Sequence, residues 1–201
     1  MCVSLKKELG LPVSEEYARN FFVLENGKKL ILKDECSEAN SSLPIIALTR
    51  LFYAKSDNSE FITDSTGQKK ADYIIFCHAD IIQVGFIELK GSNISGEPFQ
   101  QIVCTIDFLK KTEGLKELVS SKVEKHAFIV SPFRQKIPKG LYSYERTLLK
   151  KLGTKQNVEQ NAKFLHYVTV IHGKKYSDKQ QRIIYSSDYP LEFPYKENKE
   201  R

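Results

Sequence analysis

Two short stretches decide the fold: residues 69–76, KKADYIIF, and residues 84–91, VGFIELKG. Both are rich in aromatic and β-branched residues, which favour strands, and the polar residues 77–80 between them, CHAD, can form a turn. The pattern predicts a β-hairpin. If the chain turns about position 80, facing residues have numbers that sum to about 160, so Asp72 would lie opposite Glu88.

This hairpin brings charge to a face that is otherwise apolar. Side chains alternate along a strand, so Glu88 and Lys90 share the face of Val84 and Phe86. Two facing carboxylates destabilise a sheet by up to roughly 1 kcal/mol, and the arrangement makes sense mainly if a cation lies between them. One or two carboxylates, with water and substrate phosphate at the other positions, suit Mg²⁺ or Mn²⁺ better than zinc.

Asp72, followed by Glu88-Leu89-Lys90 on the next strand, resembles the Asp…Glu-x-Lys signature of the PD-(D/E)xK nuclease superfamily, which has the restriction-endonuclease-like fold. The resemblance covers residues 69 to about 130. The usual proline before the first acid is missing, because Ala71 stands there, a departure that the superfamily often tolerates.

The resemblance implies a reaction as well as a fold. Asp72, Glu88 and the backbone carbonyl of Leu89 would hold Mg²⁺ or Mn²⁺, and Lys90 would orient or help to deprotonate a metal-bound water. Attack on the phosphate would be in line and would expel a 3′ oxygen. The implied activity is a metal-dependent nuclease that hydrolyses phosphodiester bonds of nucleic acid, DNA before RNA, in restriction, defence or repair.

A fourth candidate residue lies on the helix that should follow the hairpin. Members of the superfamily often carry a glutamine there, and Gln101 matches that place better than Gln100 by helical phase. The alternative is an ordinary surface amide. The RecB-like Gln-x-x-x-Tyr form is absent, since Thr105 stands four residues after Gln101.

The order of the elements predicts the α/β class. A helix from 99 to 111, with Pro98 at its start and Gly114 after it, precedes a strand at 126–131. A second helix at 144–152 and a strand at 164–171 follow. Hairpin, helix, strand, helix and strand give a mixed central β-sheet flanked by helices on its faces, with the strand after the crossover helix parallel to its neighbour. This is the order expected of a restriction-endonuclease-like core.

The part of the chain before the hairpin predicts two further elements. Asn-Gly at 26–27, between two apolar runs, predicts an extra N-terminal β-hairpin over residues 21–32. Roughly helical apolar spacing predicts a short helix over 43–53. We expect a single domain over 1–201, with its core at about 60–175 and residues 1–55 as an N-terminal extension packed on it.

Composition favours an anionic partner. The net charge is +6 and the pI about 9.0, which points to nucleic acid before acidic protein or membrane. The four cysteines show no CxxC pairing, which fits a cytoplasmic protein. The sequence contains no run of about 18 apolar residues and therefore predicts no membrane-spanning helix. Basic and aromatic side chains of the second half could grip phosphates and stack on bases: Arg134, Lys136, Lys139, Tyr142, Tyr144, Lys150, Lys151, Lys155, Lys174, Lys175, Tyr176, Lys179 and Arg182.

Two other interpretations stay open. The chain could be a catalytically inactive nuclease-like module that binds nucleic acid or protein, although a degenerate site usually loses one member of the acid-acid-lysine set first. It could also be a general interaction protein whose charged strand faces solvent, in which case the three residues can be replaced together without loss of metal binding. A homodimer, a partner such as an ATPase, and endo or exo cleavage are all left open.

Overall fold

The computed structural model describes residues 14–34, 41–56, 61–62, 69–91, 94–131, 140–153, 161–170 and 183–196. The elements in chain order are α1 Glu15–Ala18, β1 Phe22–Leu24, β2 Lys29–Lys33, β3 Ser42–Ala47, β4 Leu51–Lys55, β5 Tyr73–His78, β6 Ile82–Leu89, α2 Glu97–Lys111, β7 Glu124–Ser131, α3 Tyr142–Leu152, β8 Leu165–Val170, β9 Ile183–Tyr185 and β10 Leu191–Phe193. Two 3₁₀ turns, Lys116–Val119 and Ala162–Phe164, precede β7 and β8.

A mixed seven-stranded sheet forms the centre, in the order β1-β4-β5-β6-β7-β8-β9. The pairs from β1 to β6 are antiparallel, and the pairs from β6 to β9 are parallel. Helices α2 and α3 connect the parallel strands, because a crossover is needed to return the chain to the same edge. The α/β class, the mixed sheet and the parallel strand after the crossover helix are confirmed.

The central hairpin has the predicted register. Tyr73 pairs with Ile87, Ile75 with Gly85 and His78 with Ile82, and each pair of numbers sums to 160. Gly85 permits this close pairing, because a Cβ at that position would lie 2.8 Å from Cγ1 of Ile75.

The two faces of the central sheet are covered by different layers. One face packs against α2 and α3, through buried side chains such as Phe99, Ile102 and Leu148. The other face packs against a second sheet, of order β10-β3-β2, through residues such as Leu43 and Ile45. The prediction that helices cover the faces of the sheet is therefore wrong for this second face. Among the described residues, strands β10, β3 and β2 cover it with their buried apolar side chains.

The predicted helix over 43–53 is also wrong. The segment forms β3 and β4, separated by a bend. Leu43, Ile45 and Ala47 are all fully buried, so the apolar side chains follow the two-residue period of a strand. Leu48, which the helical spacing required on the buried face, is exposed in the bend.

The extra N-terminal hairpin is a third correction. The turn forms, with Gly27 at φ +76°, but β1 pairs with β4 and β2 pairs with β3, in two different sheets. Backbone hydrogen bonds explain the split, because the N–H of Gly27 donates to the carbonyl of Ala47 at 2.7 Å and ties the turn to β3. The central sheet also extends beyond residues 60–175, the predicted core, because β4 and β9 both belong to this sheet.

No helix among the described residues has the length and apolar character needed to cross a membrane.

Candidate active site

The predicted site residues lie at one edge of the central sheet. Asp72 directly precedes β5, Glu88 is the second-last residue of β6, and Lys90 follows that strand. Since β5 and β6 are antiparallel, the start of one and the end of the other meet at the same edge. This is also the carboxyl edge of the parallel strands, where open α/β sheets bind their ligands.

The backbone around Asp72 is held by two buried hydroxyl groups. Ser56 Oγ donates to the carbonyl of Ala71 at 2.5 Å, and the N–H of Ser56 donates to the carbonyl of Asp72 at 2.9 Å. On the other side, the N–H of Ala71 donates to Oγ1 of Thr105 in α2 at 2.8 Å. Helix α2 therefore fixes the segment from which the Asp72 carboxylate projects.

The contact between Ala71 and Thr105 joins two positions at which the sequence departs from the motifs that it resembles. A proline at position 71 would have no N–H to donate, whereas Ala71 uses its N–H on Thr105. The hydroxyl of Thr105 in turn donates to the carbonyl of Gln101 at 2.9 Å.

The Asp72 carboxylate is directed at the end of β6. Its Oδ2 accepts a hydrogen bond of 2.6 Å from the backbone N–H of Leu89. Side chains alternate along the strand, so Glu88 projects to the helix-covered face that Val84 and Phe86 share. The register and this bond together bring the two acids to the position that the sequence predicts.

Glu88 is a fully buried acid with an incomplete set of partners. Its exposed fraction is 0%, and its Oε1 lies 2.7 Å from Nζ of Lys90. Apart from that ion pair and a weaker backbone contact from Asp72, neither oxygen accepts a hydrogen bond from the described residues. Burial, and then the charge of Asp72, raises the pKa of Glu88 to about 8, although Lys90 opposes the rise.

Lys90 is fixed beside the acids by its backbone and its charge. Its N–H donates to the carbonyl of Val130 in β7 at 2.8 Å, and its side chain is 21% exposed. Burial lowers the pKa of Lys90, but the charges of Glu88, Asp72 and Glu97 outweigh that effect, so the net pKa is raised. The ammonium group therefore remains charged at neutral pH.

The donor set fits a small divalent cation. Two carboxylates and one ammonium leave one excess negative charge, and a cation would stabilise the charged form of Glu88 that burial disfavours. In the described part of the chain no group of three or more His, Cys, Asp and Glu side chains is arranged to hold a metal. Mg²⁺ commonly uses one or two carboxylates and keeps several waters, so the pair Asp72 and Glu88 suits it.

Gln101 and Gln100 have different surroundings. Oε1 of Gln101 is buried and accepts no hydrogen bond from the described residues. Oε1 of Gln100 accepts a hydrogen bond of 2.8 Å from Nζ of Lys69. The catalytic role of Gln101 stays a prediction.

Sequence reasoning missed Ser56, Lys69 and Thr105. Ser56 follows β4 and Thr105 lies in α2, and no spacing in the sequence connects them with Asp72, whereas Lys69 lies three residues before Asp72. Of the predicted basic and aromatic positions, Lys151 pairs with Asp107 at 2.5 Å, and Lys150, Tyr142 and Tyr144 are exposed. The others lie outside the described residues: Arg134, Lys136, Lys139, Lys155, Lys174, Lys175, Tyr176, Lys179 and Arg182.

Comparison with known proteins finds no relative of this chain. No family model, no curated protein and no solved structure matches it.

Proposed function

We propose that the protein is a Mg²⁺- or Mn²⁺-dependent nuclease with a restriction-endonuclease-like core, and that it hydrolyses phosphodiester bonds of nucleic acid, DNA before RNA. The observation that carries this proposal is the fully buried Glu88 beside Asp72 and Lys90 at the sheet edge. A buried carboxylate with an incomplete set of partners is costly to keep, which favours a functional reason for it.

Both acids, Asp72 and Glu88, would be ligands of the metal. The N–H of Leu89 donates to Oδ2 of Asp72 and so orients this carboxylate, which would be one ligand of the ion, and the backbone carbonyl of Leu89 would complete the protein ligands. Glu88 would supply a second carboxylate, whose charged form a divalent cation would stabilise further than Lys90 does. A divalent ion held there would act as a Lewis acid towards the phosphate and would lower the pKa of a bound water.

Lys90 has the chemistry of a positioning and charge-stabilising group. Its ammonium group is held 2.7 Å from Oε1 of Glu88 and remains charged, so it can donate a hydrogen bond to a water or to a phosphate oxygen beside the two acids. Such a fixed cation stabilises the negative charge that develops on the phosphate in the transition state. The net charge of +6 supports nucleic acid as the substrate, since basic proteins attract the phosphate backbone.

A cleavage panel tests this proposal. Supercoiled plasmid, linear DNA and RNA are incubated with the wild-type protein in Mg²⁺, in Mn²⁺ and in EDTA. We expect cleavage with either metal, none in EDTA, and DNA degraded faster than RNA. Binding of nucleic acid without cleavage under any metal would refute the nuclease and would favour the inactive binding module.

A further inference from the structure

Helices α2 and α3 leave a cleft between them, here called the helix cleft, of about 310 Å³. It lies between the two helices and Lys69, and the helices are joined further along by the ion pair of Lys151 with Asp107. A volume of this size lies at the lower end of the range for small-ligand sites in proteins. Nothing in the reaction described above uses it.

The helix cleft and the candidate active site share the first turns of α2. Lys69, which lines the cleft, lies three residues before Asp72, and its Nζ donates to Oε1 of Gln100 at 2.8 Å. One turn earlier on the same helix, Glu97 is close enough to Lys90 for its charge to act on that ammonium group. Residues 69–72 and α2 therefore position both the cleft and the Asp72 carboxylate.

One part of the cleft lining is apolar and aromatic. Phe99, Val103 and Cys104 from α2 contribute apolar atoms, and Tyr144 from α3 contributes a ring. That ring rests on the backbone of Gly96, because a Cβ at Gly96 would lie 2.6 Å from its Cε2. The ring is therefore held in place by the backbone and yet is 38% exposed, which suits a flat stacking partner.

The polar part of the lining offers donors and positive charge. Lys69 is a cation, and none of the described residues that line the cleft is Asp or Glu. Oε1 of Gln100 accepts from Lys69, and the N–H₂ group of the same amide offers two donors to a ligand. A ligand that combines a flat ring with an anionic, acceptor-rich group complements such a lining.

We propose that the helix cleft binds one unpaired nucleotide of the substrate strand, with its base against Tyr144 and its phosphate near Lys69. The inference rests on the proposed function, because it takes nucleic acid as the polymer at the neighbouring acids. It adds that the enzyme engages a strand with at least one unstacked base, as at an end, a flap or a single-stranded region. Stacking on an aromatic side chain tolerates any base, so the cleft itself selects an unpaired strand and not a sequence.

The test measures binding of single-stranded oligonucleotides that carry 2-aminopurine, a base whose fluorescence falls when it stacks. The protein is titrated into the oligonucleotide in EDTA, so that no cleavage occurs. We expect Tyr144→Ala to bind roughly 5- to 100-fold more weakly, the range for loss of one base–aromatic contact, and to lose the quenching. Tyr144→Phe, which keeps the ring, should bind as the wild type does. Tyr142→Ala is the matched control, since Tyr142 is 73% exposed and does not line the cleft.

A second variant keeps the inference falsifiable if Tyr144→Ala disturbs α2 at Gly96. Cys104→Phe fills the cleft from the opposite helix and should weaken single-strand binding while Tyr144 stays in place. Wild-type affinity and quenching in both Tyr144→Ala and Cys104→Phe would overturn the proposal. A free nucleoside monophosphate that binds as tightly as the oligonucleotide would overturn the assignment to a strand.

Cleavage assays separate this inference from the proposed function. If the wild type cleaves DNA with Mg²⁺ and both cleft variants bind and cleave single strands as it does, the cleft inference fails alone. If the cleft variants lose single-strand binding but the wild type cleaves nothing with any metal, the cleft is supported and the nuclease fails.

Discussion

Replacing Glu88 by glutamine should change how the stability of the metal-free protein depends on pH. The pKa of this buried acid rises from 4.5 to about 8 on folding, first because of burial and then because of Asp72. A group whose pKa is raised in the folded state contributes stability that is fully present below its unfolded pKa. That stability is lost as pH rises through the folded pKa, so the window runs from about pH 4.5 to about pH 8.

The size of the effect follows from the two pKa values. Each pKa unit corresponds to about 1.4 kcal/mol, so ionising Glu88 in the folded protein costs on the order of 4 kcal/mol across that window. In a chain of this length 1 kcal/mol shifts Tm by about 2–4 °C, which gives a shift of roughly 10 °C. Glutamine has a similar shape and does not ionise, so the variant lacks this loss.

The assay is thermal melting in EDTA at several pH values between 5 and 8, for wild type, Glu88→Gln and Glu113→Gln. Glu113 is the matched control, because its side chain is 86% exposed. The Tm of Glu88→Gln relative to wild type should rise steadily with pH, while that of Glu113→Gln stays constant. Excess MgCl₂ should then stabilise the wild type most at pH 8 and the Glu88 variant little. A Tm difference that is the same at pH 5 and pH 8 would refute the reasoning.

Three further outcomes follow from the same contacts. Lys90→Ala should keep its affinity for Mn²⁺ and DNA but cleave about 10²- to 10³-fold more slowly in single-turnover assays, and a wild-type rate would show that Lys90 has no role in the chemical step. Thr105→Val should lower the free energy of unfolding by roughly 1–3 kcal/mol in urea melts, because it leaves the buried N–H of Ala71 unpaired, and an unchanged midpoint would contradict that bond. DNA binding in EDTA should weaken steeply as NaCl rises, since phosphate contacts release counterions, whereas a flat response would favour a protein partner.

The hairpin could be predicted because its signals are local. Strand alternation and a short polar turn set the register of β5 and β6, and that register alone places Asp72 near Glu88. The same reasoning failed at 43–53, where a short apolar run fits a helix or a strand equally well until its partners are known. The hairpin predicted at the Asn-Gly turn also failed to form, because β1 pairs with β4 and β2 pairs with β3.

The contacts that hold the site depend on residues that are distant in the sequence. Ser56 forms a hydrogen bond with Ala71, which is 15 positions away in the sequence, and Thr105 forms one with Ala71 from 34 positions away. Each is one small polar residue in an ordinary local setting, and only the packing of α2 on the sheet brings Thr105 to the strand. The burial of Glu88 is likewise set by what covers the end of β6, whereas the sequence shows only its place in the strand.

The most direct test of the account compares single-turnover hydrolysis of one DNA substrate in Mg²⁺ by wild type, Asp72→Asn, Glu88→Gln and the control Glu113→Gln. Circular dichroism and DNA binding in EDTA are measured on the same samples, so that loss of the fold or of substrate binding is seen separately. We predict that the wild type and the control cleave at the same rate, while both site variants bind DNA and do not cleave it. Cleavage by Asp72→Asn or Glu88→Gln at the wild-type rate would contradict a metal ion shared by these two acids.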